Sequence, residues 1–435
     1  MTTQAGQCPF HGNAEMNAET THLTANPVRG NGGEVPTPGS QDAAGYPVAD
    51  WVDVAALATD PYPTYARLRA ESPVAWVPQL NKFLVTNYAG CHTVEQDQEI
   101  FSANVSGATM TRAIGAQPML RKDDPEHSLD RMPVNPVLRP KSIKEVWGPV
   151  FERNAETYLQ NVAELGPEEA DLNRDYAAPV ASQNLIDLLG LKDVSVEQVR
   201  RWSHAFIAGM GNVLNDQSIW DRCDAATAEA DRLLEELIPY YRQNPDASML
   251  SAFANSGLPT SNVAANVKLT ISGGMNEPQH MVTNMVWALS NHTGQREQVL
   301  VDPALWASVF DEAVRWQSPI GMYPRETTRE TVLEGVHIPA GAGIGVVVAS
   351  ANHDAAHFGA SAAEFDIHRP KRPHLAFGSG VHLCAGHWAA KTSIGQIAVP
   401  MAYKRFPGLR LDERRNERWD GWVFRGLTSL PVTWN

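Results

Sequence analysis

The chain has 435 residues, 43% hydrophobic and 19% charged, which suits a large buried core and excludes wholesale disorder. With 35 basic against 49 acidic residues the net charge is −14, so the basic surplus of a nucleic-acid binder is missing. The most apolar run, Ile344 to Ala351, falls far short of the ~18 residues of a membrane span; with no secretory-type leader and only four well-separated cysteines, a soluble, cytoplasmic protein with reduced thiols is expected.

Residues 1–50 hold one Phe and one Tyr among many Gly, Pro, Asn and Thr, and such a composition buries little. They are expected to form a poorly structured extension. Within it, Cys8-Pro9-Phe10-His11 has a spacing that could begin a metal site but lacks a second ligand pair. Residues 51–435 read as one continuous domain without linker or repeat. Asp60 to Ala70 predicts a helix with proline near its start. Val74–Val77 and Phe83–Thr86 predict a hairpin. From Lys144 to Ile271, Ala, Leu, Glu and Arg at 3.6-residue spacing predict mostly helix, and a long helix is expected over Asn262–Ser290. Strand-like sequence follows at Val332–Ile338 and Gly343–Val348, then a last helix from His387 to Tyr403. The fold class is therefore mainly α with small β-sheets.

The most specific segment runs from Phe377 to Gly386 (FGSGVHLCAG). Its glycines let the backbone take positive φ and approach a bulky group. Cys384 stands just before the last predicted helix, where loop amides and the positive helix end favour a thiolate. A thiolate receiving N–H bonds is the axial donor that a haem iron takes.

This segment resembles the cysteine loop of the cytochrome P450 family, F-G-x-G-x-H-x-C-x-G, at every fixed position, and the wider resemblance extends from about Asp60 to the end. It implies the P450 fold and a haem b (iron protoporphyrin IX) held through Cys384 within the Phe377–Gly378 loop. Glu312 and Arg315, three apart on one helical face, resemble the family's E-x-x-R. With Asn352, Asp354, Phe358, Phe365 and Arg369 they are expected to form a buried structural core, Arg369 as third member. Asp124-Pro125-Glu126-His127 with Arg131 is similar to the family's D-P-P-E-H-x-x-x-R helix. His127 and Arg131 share a face and are spaced to grip a haem carboxylate. By the same resemblance Arg325 and His382 are candidates for the propionates, and His374 a further one.

On the oxygen side, Leu269 to His280 (LTISGGMNEPQH) resembles the family pattern A/G-G-x-D/E-T. Aligned on the acid, Gly274 takes the first place, Met275 the second, Glu277 the acid and Pro278 the threonine. Met275 and Pro278 depart from the pattern. The absent threonine hydroxyl leaves Glu277 as the proton-delivery candidate, with Asn276, Gln279 and His280 as helpers. Pro278 removes a backbone donor and is expected to kink the helix.

The acid–proline pair, with Trp419–Trp434, resembles the bacterial aryl-ether O-demethylases acting on guaiacol and alkylguaiacols. That resemblance implies oxidative O-demethylation of a small methoxylated aromatic, using O2, to a catechol and formaldehyde. Phe424 is expected to face the ring, Gly274 to let it approach the iron and Met275 to fill beside it, with Phe206, Met210, Phe101 and Met110 as further wall candidates. No flavin, nicotinamide or iron–sulfur motif is present, so a separate reductase is implied, by resemblance one carrying FAD and a 2Fe–2S centre and drawing on NADH. Arg139, Lys141, Lys144 and Lys391 are candidates for its docking face. Alternatives are hydroxylation of another small hydrophobic substrate, a peroxide-driven peroxygenase, which in some relatives also carries proline at that place, and a non-enzymatic haem sensor.

Overall fold

The structure, a computed structural model, describes residues 45–212 and 215–435; Cys8–His11 and most of the expected extension lie outside them. The ordered body begins before Trp51. Val48 bridges to Trp76, Ala49 N–H donates to the Trp76 carbonyl at 2.8 Å, and the Tyr46 ring meets Phe83 edge-on at 4.9 Å. Residues 46–49 thus add an edge to the sheet and belong to the globular unit, a correction to the boundary expected at residue 50.

Helices α1 (Val54–Thr59) and α2 (Tyr62–Glu71) lead into the expected hairpin of β1 (Val74–Val77) and β2 (Lys82–Val85). Helix α3 (Tyr88–Gln96), β3 (Phe101–Ser102), α4 (Thr109–Ile114) and α5 (Glu126–Arg131) follow. The helical body comprises α6 (Gly148–Leu165), α7 (Ala178–Leu189), α8 (Val196–Met210), α9 (Gln217–Gln243), α10 (Met249–Ala254), α11 (Thr260–Gly273), α12 (Asn276–Asn291), α13 (Thr293–Val301) and α14 (Trp306–Trp316). Strands β4 (Tyr323–Thr327) and β7 (Gly343–Val346) return to the first hairpin and make a sheet of order β1-β2-β7-β4-β3, with β2 and β7 parallel. The stretch expected as one strand over Val332–Ile338 is a hairpin of β5 (Thr331–Leu333) and β6 (Val336–Ile338). Its turn, Glu334-Gly335, has φ of 50° and 79°, the mirror-image geometry that matches strand twist.

Two helices expected as uninterrupted are not. The last one runs as α15 (His387–Ala390), a wide π-turn segment Lys391–Ala398, and α16 (Val399–Arg405). Similar wide segments, Ile143–Trp147 and Asn173–Ala177, precede α6 and α7. In all three cases proline follows two residues on, at 149, 179 and 400. Proline cannot donate and its ring pushes against the carbonyl four residues back, so the preceding turn widens. The second interruption, between α11 and α12, lies at the functional site.

Helix α12 is buried on nearly every side, from Asn276 to Leu289, and is the axis around which α7, α14 and the C-terminal strands pack. Strands β8 (Arg410–Leu411), β9 (Arg418–Asp420), β10 (Gly426–Ser429) and β11 (Val432–Thr433) form two small ladders. The β9–β10 turn brings residues 421–425 back over the middle of the molecule.

Candidate functional site

Cys384 is placed by a loop with little freedom. Its N–H donates to the Phe377 carbonyl at 2.8 Å. Gly380 has φ of 62°, and a Cβ there would run into the Glu95 carbonyl at the end of α3; any other residue would push the loop off that helix. Behind it, Arg315 binds both Glu312 oxygens at 2.7 and 2.8 Å, Arg369 adds a bond of 3.1 Å to Glu312, and Arg315 also reaches the carbonyls of Asn352, Ala362 and Glu364. Asn352 accepts from Leu375 N–H at 2.8 Å, joining this network to the segment entering the cysteine loop. Glu312 and Arg315 are 6% and 2% exposed, so the expected buried triad is present. Phe358 lies under the Arg315 guanidinium at 5.2 Å.

The Cys384 sulfur faces a cavity of about 2870 Å³. Burial is the largest influence on its thiol and raises its pKa, against the lowering effect of the Gly386 and His387 N–H groups. The amides act in the expected direction, but without a metal on the sulfur desolvation wins and the thiol keeps its proton.

One edge of the same cavity is polar. Helix α5 is tied down by Asp130, which holds Lys122 at 2.5 Å and the amides of Asn262 and Asn266 at 3.1 and 3.2 Å. The next face of α5 therefore presents His127 and Arg131 to the cavity. Arg131 donates to the Val381 carbonyl at 3.2 Å. The His127 and His382 rings lie 4.2 Å apart, and both His382 nitrogens and His127 Nδ1 are buried without a hydrogen-bond partner. Burial lowers both imidazoles, His382 strongly, so both are neutral near pH 7. Arg325, on β4, is 5% exposed and donates only to the neighbouring Pro324 carbonyl. Buried donors without partners are costly. Their convergence, with a sulfur on one wall, fits a haem whose carboxylates lie against His127, Arg131, Arg325 and His382. His374 does not line the cavity; it sits beside the Phe377 ring with its Nδ1 accepting from Ala376 N–H, which removes it from the propionate candidates.

On the opposite wall the helix expected over Asn262–Ser290 ends at Gly273 and restarts at Asn276. Pro278 falls in the first turn of α12, where its missing N–H costs nothing. The interruption expected from Pro278 is present as a break at Gly274–Met275, and Gly274 is the residue four back whose carbonyl the proline ring would meet in a continuous helix. Glu277 and Pro278 line the cavity, and Glu277 Oε2 is buried without a partner. Burial pushes this carboxyl up to about 8. Asn276 also lines the cavity, whereas Gln279 and His280 point into protein; His280 is packed on Gly426 and burial pulls its imidazole down to about 4.

Several expected wall residues are corrected. The break turns Met275 into the core, 0% exposed, and Phe206 is buried at 0% on the inner face of α8; neither lines the cavity. Phe101 is in β3, opposite Thr327, buried in the core of the sheet and away from the cavity lining. Gly274 lines the cavity, but its Cβ side is taken: a methyl there would sit 2.6 Å from the Thr270 carbonyl and 2.7 Å from Leu185. The open position is its neighbour Gly273, where a Cβ would meet nothing within 4 Å. Met210 and Met110 do line the cavity, as does Phe424. Phe424 is carried by a loop whose backbone is pinned. Gly321 N–H donates to Val423 O at 2.8 Å, Arg425 N–H to Pro319 O at 2.8 Å, and the buried Arg425 guanidinium reaches Gly421 O and the last carbonyls of α1, Ala58 and Thr59. Arg139, Lys141 and Lys144 are exposed, and Lys391 is paired with Asp311 at 2.9 Å. No helix among the described residues is long and apolar enough to cross a membrane.

Comparison with known proteins agrees with this geometry. The family model described as Cytochrome P450 matches residues 304–399, the segment that carries the Glu312–Arg315 pair and the cysteine loop. The chain is similar to a steroid C26-monooxygenase of Mycolicibacterium smegmatis, 27% identical across 80% of this chain and 86% of the relative. It is likewise similar to a vitamin D(3) 25-hydroxylase of Pseudonocardia autotrophica, 29% identical across 86% and 94%. Among solved structures, P450BioI in complex with an acyl carrier protein superposes with a TM-score of 0.79 at 24% identity, over 86% of this chain and 98% of that one.

Proposed function

We propose that the chain is a cytochrome P450, a haem-iron monooxygenase, and that it catalyses oxidative O-demethylation of a small methoxylated aromatic of the guaiacol or 4-alkylguaiacol type. What supports this reading is that Glu277, Pro278 and Phe424 face the same cavity as Cys384. The bound haem supplies the oxygen activation that no side chain can. In the balanced reaction one oxygen atom of O2 enters a methyl C–H bond, and the other leaves as water with two electrons and two protons. The hemiacetal C–O bond then breaks, giving the phenol and formaldehyde.

The protein's contributions are specific. Glu277, held as the neutral acid by burial, donates a proton at the carboxyl oxygen that has no partner in the protein, and Asn276 lies beside it. Phe424, on a loop fixed by Arg425, offers a flat apolar wall for the ring. Gly273 leaves the space on the α11 side open. Electrons come from a separate NADH-dependent reductase with FAD and a 2Fe–2S centre, docked over Arg139, Lys141 and Lys144 near the cysteine side.

A second reading, oxidation of a bulkier hydrophobic substrate, is favoured by the cavity, which at about 2870 Å³ is several times an ordinary ligand site even though it includes the haem bay, and by the steroid and vitamin D relatives. Spin-state titration of the ferric protein with guaiacol, 4-alkylguaiacols, methoxybenzoates and a terpene separates the two. The first reading expects a Soret shift with the methoxylated aromatics and stoichiometric formaldehyde on turnover with NADH and reductase. A shift confined to bulky ligands would replace it with the second. Equal turnover with peroxide alone would instead identify a peroxygenase.

A further inference from the structure

The cavity's polar edge contains two charged groups that the haem-site pattern does not include. Glu95, on α3, is 5% exposed, lines the cavity, and has both carboxyl oxygens buried without a hydrogen-bond partner. Arg121, just before α5, is 7% exposed, lines the same edge, and leaves its Nε unpartnered; among the described residues its guanidinium makes a single long hydrogen bond, 3.5 Å to the Ala103 carbonyl. Between them lies Arg325, the nearest charge to both. The Tyr323 hydroxyl, also unpartnered, stands beside Gly378 as Glu95 does. Among the described residues neither Arg121, Arg131 nor Arg325 pairs with a carboxylate. Both Glu95 oxygens and Arg121 Nε are thus buried without partners around one recess that the buried Arg325 and the half-buried Arg131 also line, an arrangement that is costly unless a ligand completes it.

We propose that Glu95 and Arg121 complete the recess for the cofactor's two carboxylates: Arg121 as a third guanidinium, and Glu95 as an un-ionised acid donating a hydrogen bond to one carboxylate oxygen. This rests on the haem reading above. Three fixed positive charges against two carboxylates leave no demand for a third anion, and Glu95 is not within ion-pair distance of Arg325 in the structure. Burial already pushes the Glu95 carboxyl up to about 8 with Arg325 nearby, and two anions beside it raise it further. Its remaining oxygen lies on the side of the Tyr323 hydroxyl, both within 4 Å of the Cβ position of Gly378. The groups that face it are Arg325 and Tyr323 from β4, and Tyr88 and Cys91 on its own helix.

The test is the rate at which the holoenzyme gives up its haem to an excess of an acceptor apoglobin, followed in the Soret band. It is compared with the same protein loaded with haem dimethyl ester, which lacks the carboxylates. Arg121→Leu and Glu95→Ala are expected to release haem at least about tenfold faster than the native chain, the scale of one charge-assisted hydrogen bond. Glu95→Gln, which keeps a donor, should stay within about twofold. For the ester, all variants should match the native chain. Acceleration that is equal for haem and ester would show a packing role and overturn the proposal, as would Glu95→Gln releasing haem as fast as Glu95→Ala. A native chain that retains neither porphyrin would overturn the haem reading itself.

Discussion

The cavity has two walls built in different ways. The wall around Cys384 is local in sequence: ten consecutive residues, Phe377–Gly386, shape it, and the Glu312–Arg315–Arg369 network locks it from behind. The loop is held by close backbone contacts, such as Gly380 against the Glu95 carbonyl, and the network by paired buried side chains. The opposite wall is assembled from α8, the α11–α12 break and the β9–β10 turn, which are far apart in the chain. The backbone of its β9–β10 turn is pinned by hydrogen bonds, but side chains that face the cavity, such as Met110 and Met210, are held by packing and can vary while the fold persists. In the proposed function the first wall holds the haem and the second receives the substrate.

Substitutions on the two walls should therefore differ in kind. The largest effect is expected behind the cysteine: Glu312→Ala strands Arg315 and Arg369 in the interior, costing about 3–5 kcal/mol, and should appear as a large fall in melting temperature with loss of haem content. Normal haem content in that variant would erase the distinction between the walls. Next comes Glu277→Gln, which should slow turnover by about 10²–10⁴-fold and divert electrons to peroxide while leaving the melting temperature near native. Because the neutral acid is the donor and its pKa is raised to about 8, turnover in the native chain should fall as pH rises through that value. The Gln variant should lack that limb, and a persistent limb would assign the proton to another group.

Gly273→Leu should fill the open side of the second wall. Bulky ligands that shift the Soret band of the native protein should bind about 10–100-fold more weakly, with small aromatics little changed. Uniform weakening would mean that the side chain disturbs the α11–α12 break rather than the pocket. The smallest effect is expected at the surface: Lys141→Glu should weaken reductase coupling a few-fold at low salt, on the order of 1 kcal/mol or less, and the difference should vanish at high salt.

How much of this was legible in the sequence follows the same division. The cysteine loop and the Glu312–Arg315 pair could be read directly, because fixed spacing in one segment translates into fixed geometry. His127 and Arg131 followed from i,i+4 placement on one helix. On the far wall, Glu277 and Phe424 were found by resemblance, but Met275 and Phe206 were misplaced. Pro278 announced an interruption, but the α11–α12 break changes which residues face inward, and periodicity does not say which side chains it turns into the core. Glu95 and Arg121 carried no signal at all, since one resembles a solvated helix carboxylate and the other a loop arginine until the tertiary fold closes over them. Arg425 was missed for the same reason: its partners, the carbonyls ending α1, lie more than three hundred residues away.

The central claim is that the Cys384 sulfur is the axial ligand of a haem iron. Reducing the haem-replete protein under carbon monoxide tests it most directly. The account predicts the strongly red-shifted Soret band of a thiolate-ligated haem, lost in Cys384→His; a native spectrum with the Soret position of an imidazole-ligated haem would contradict it.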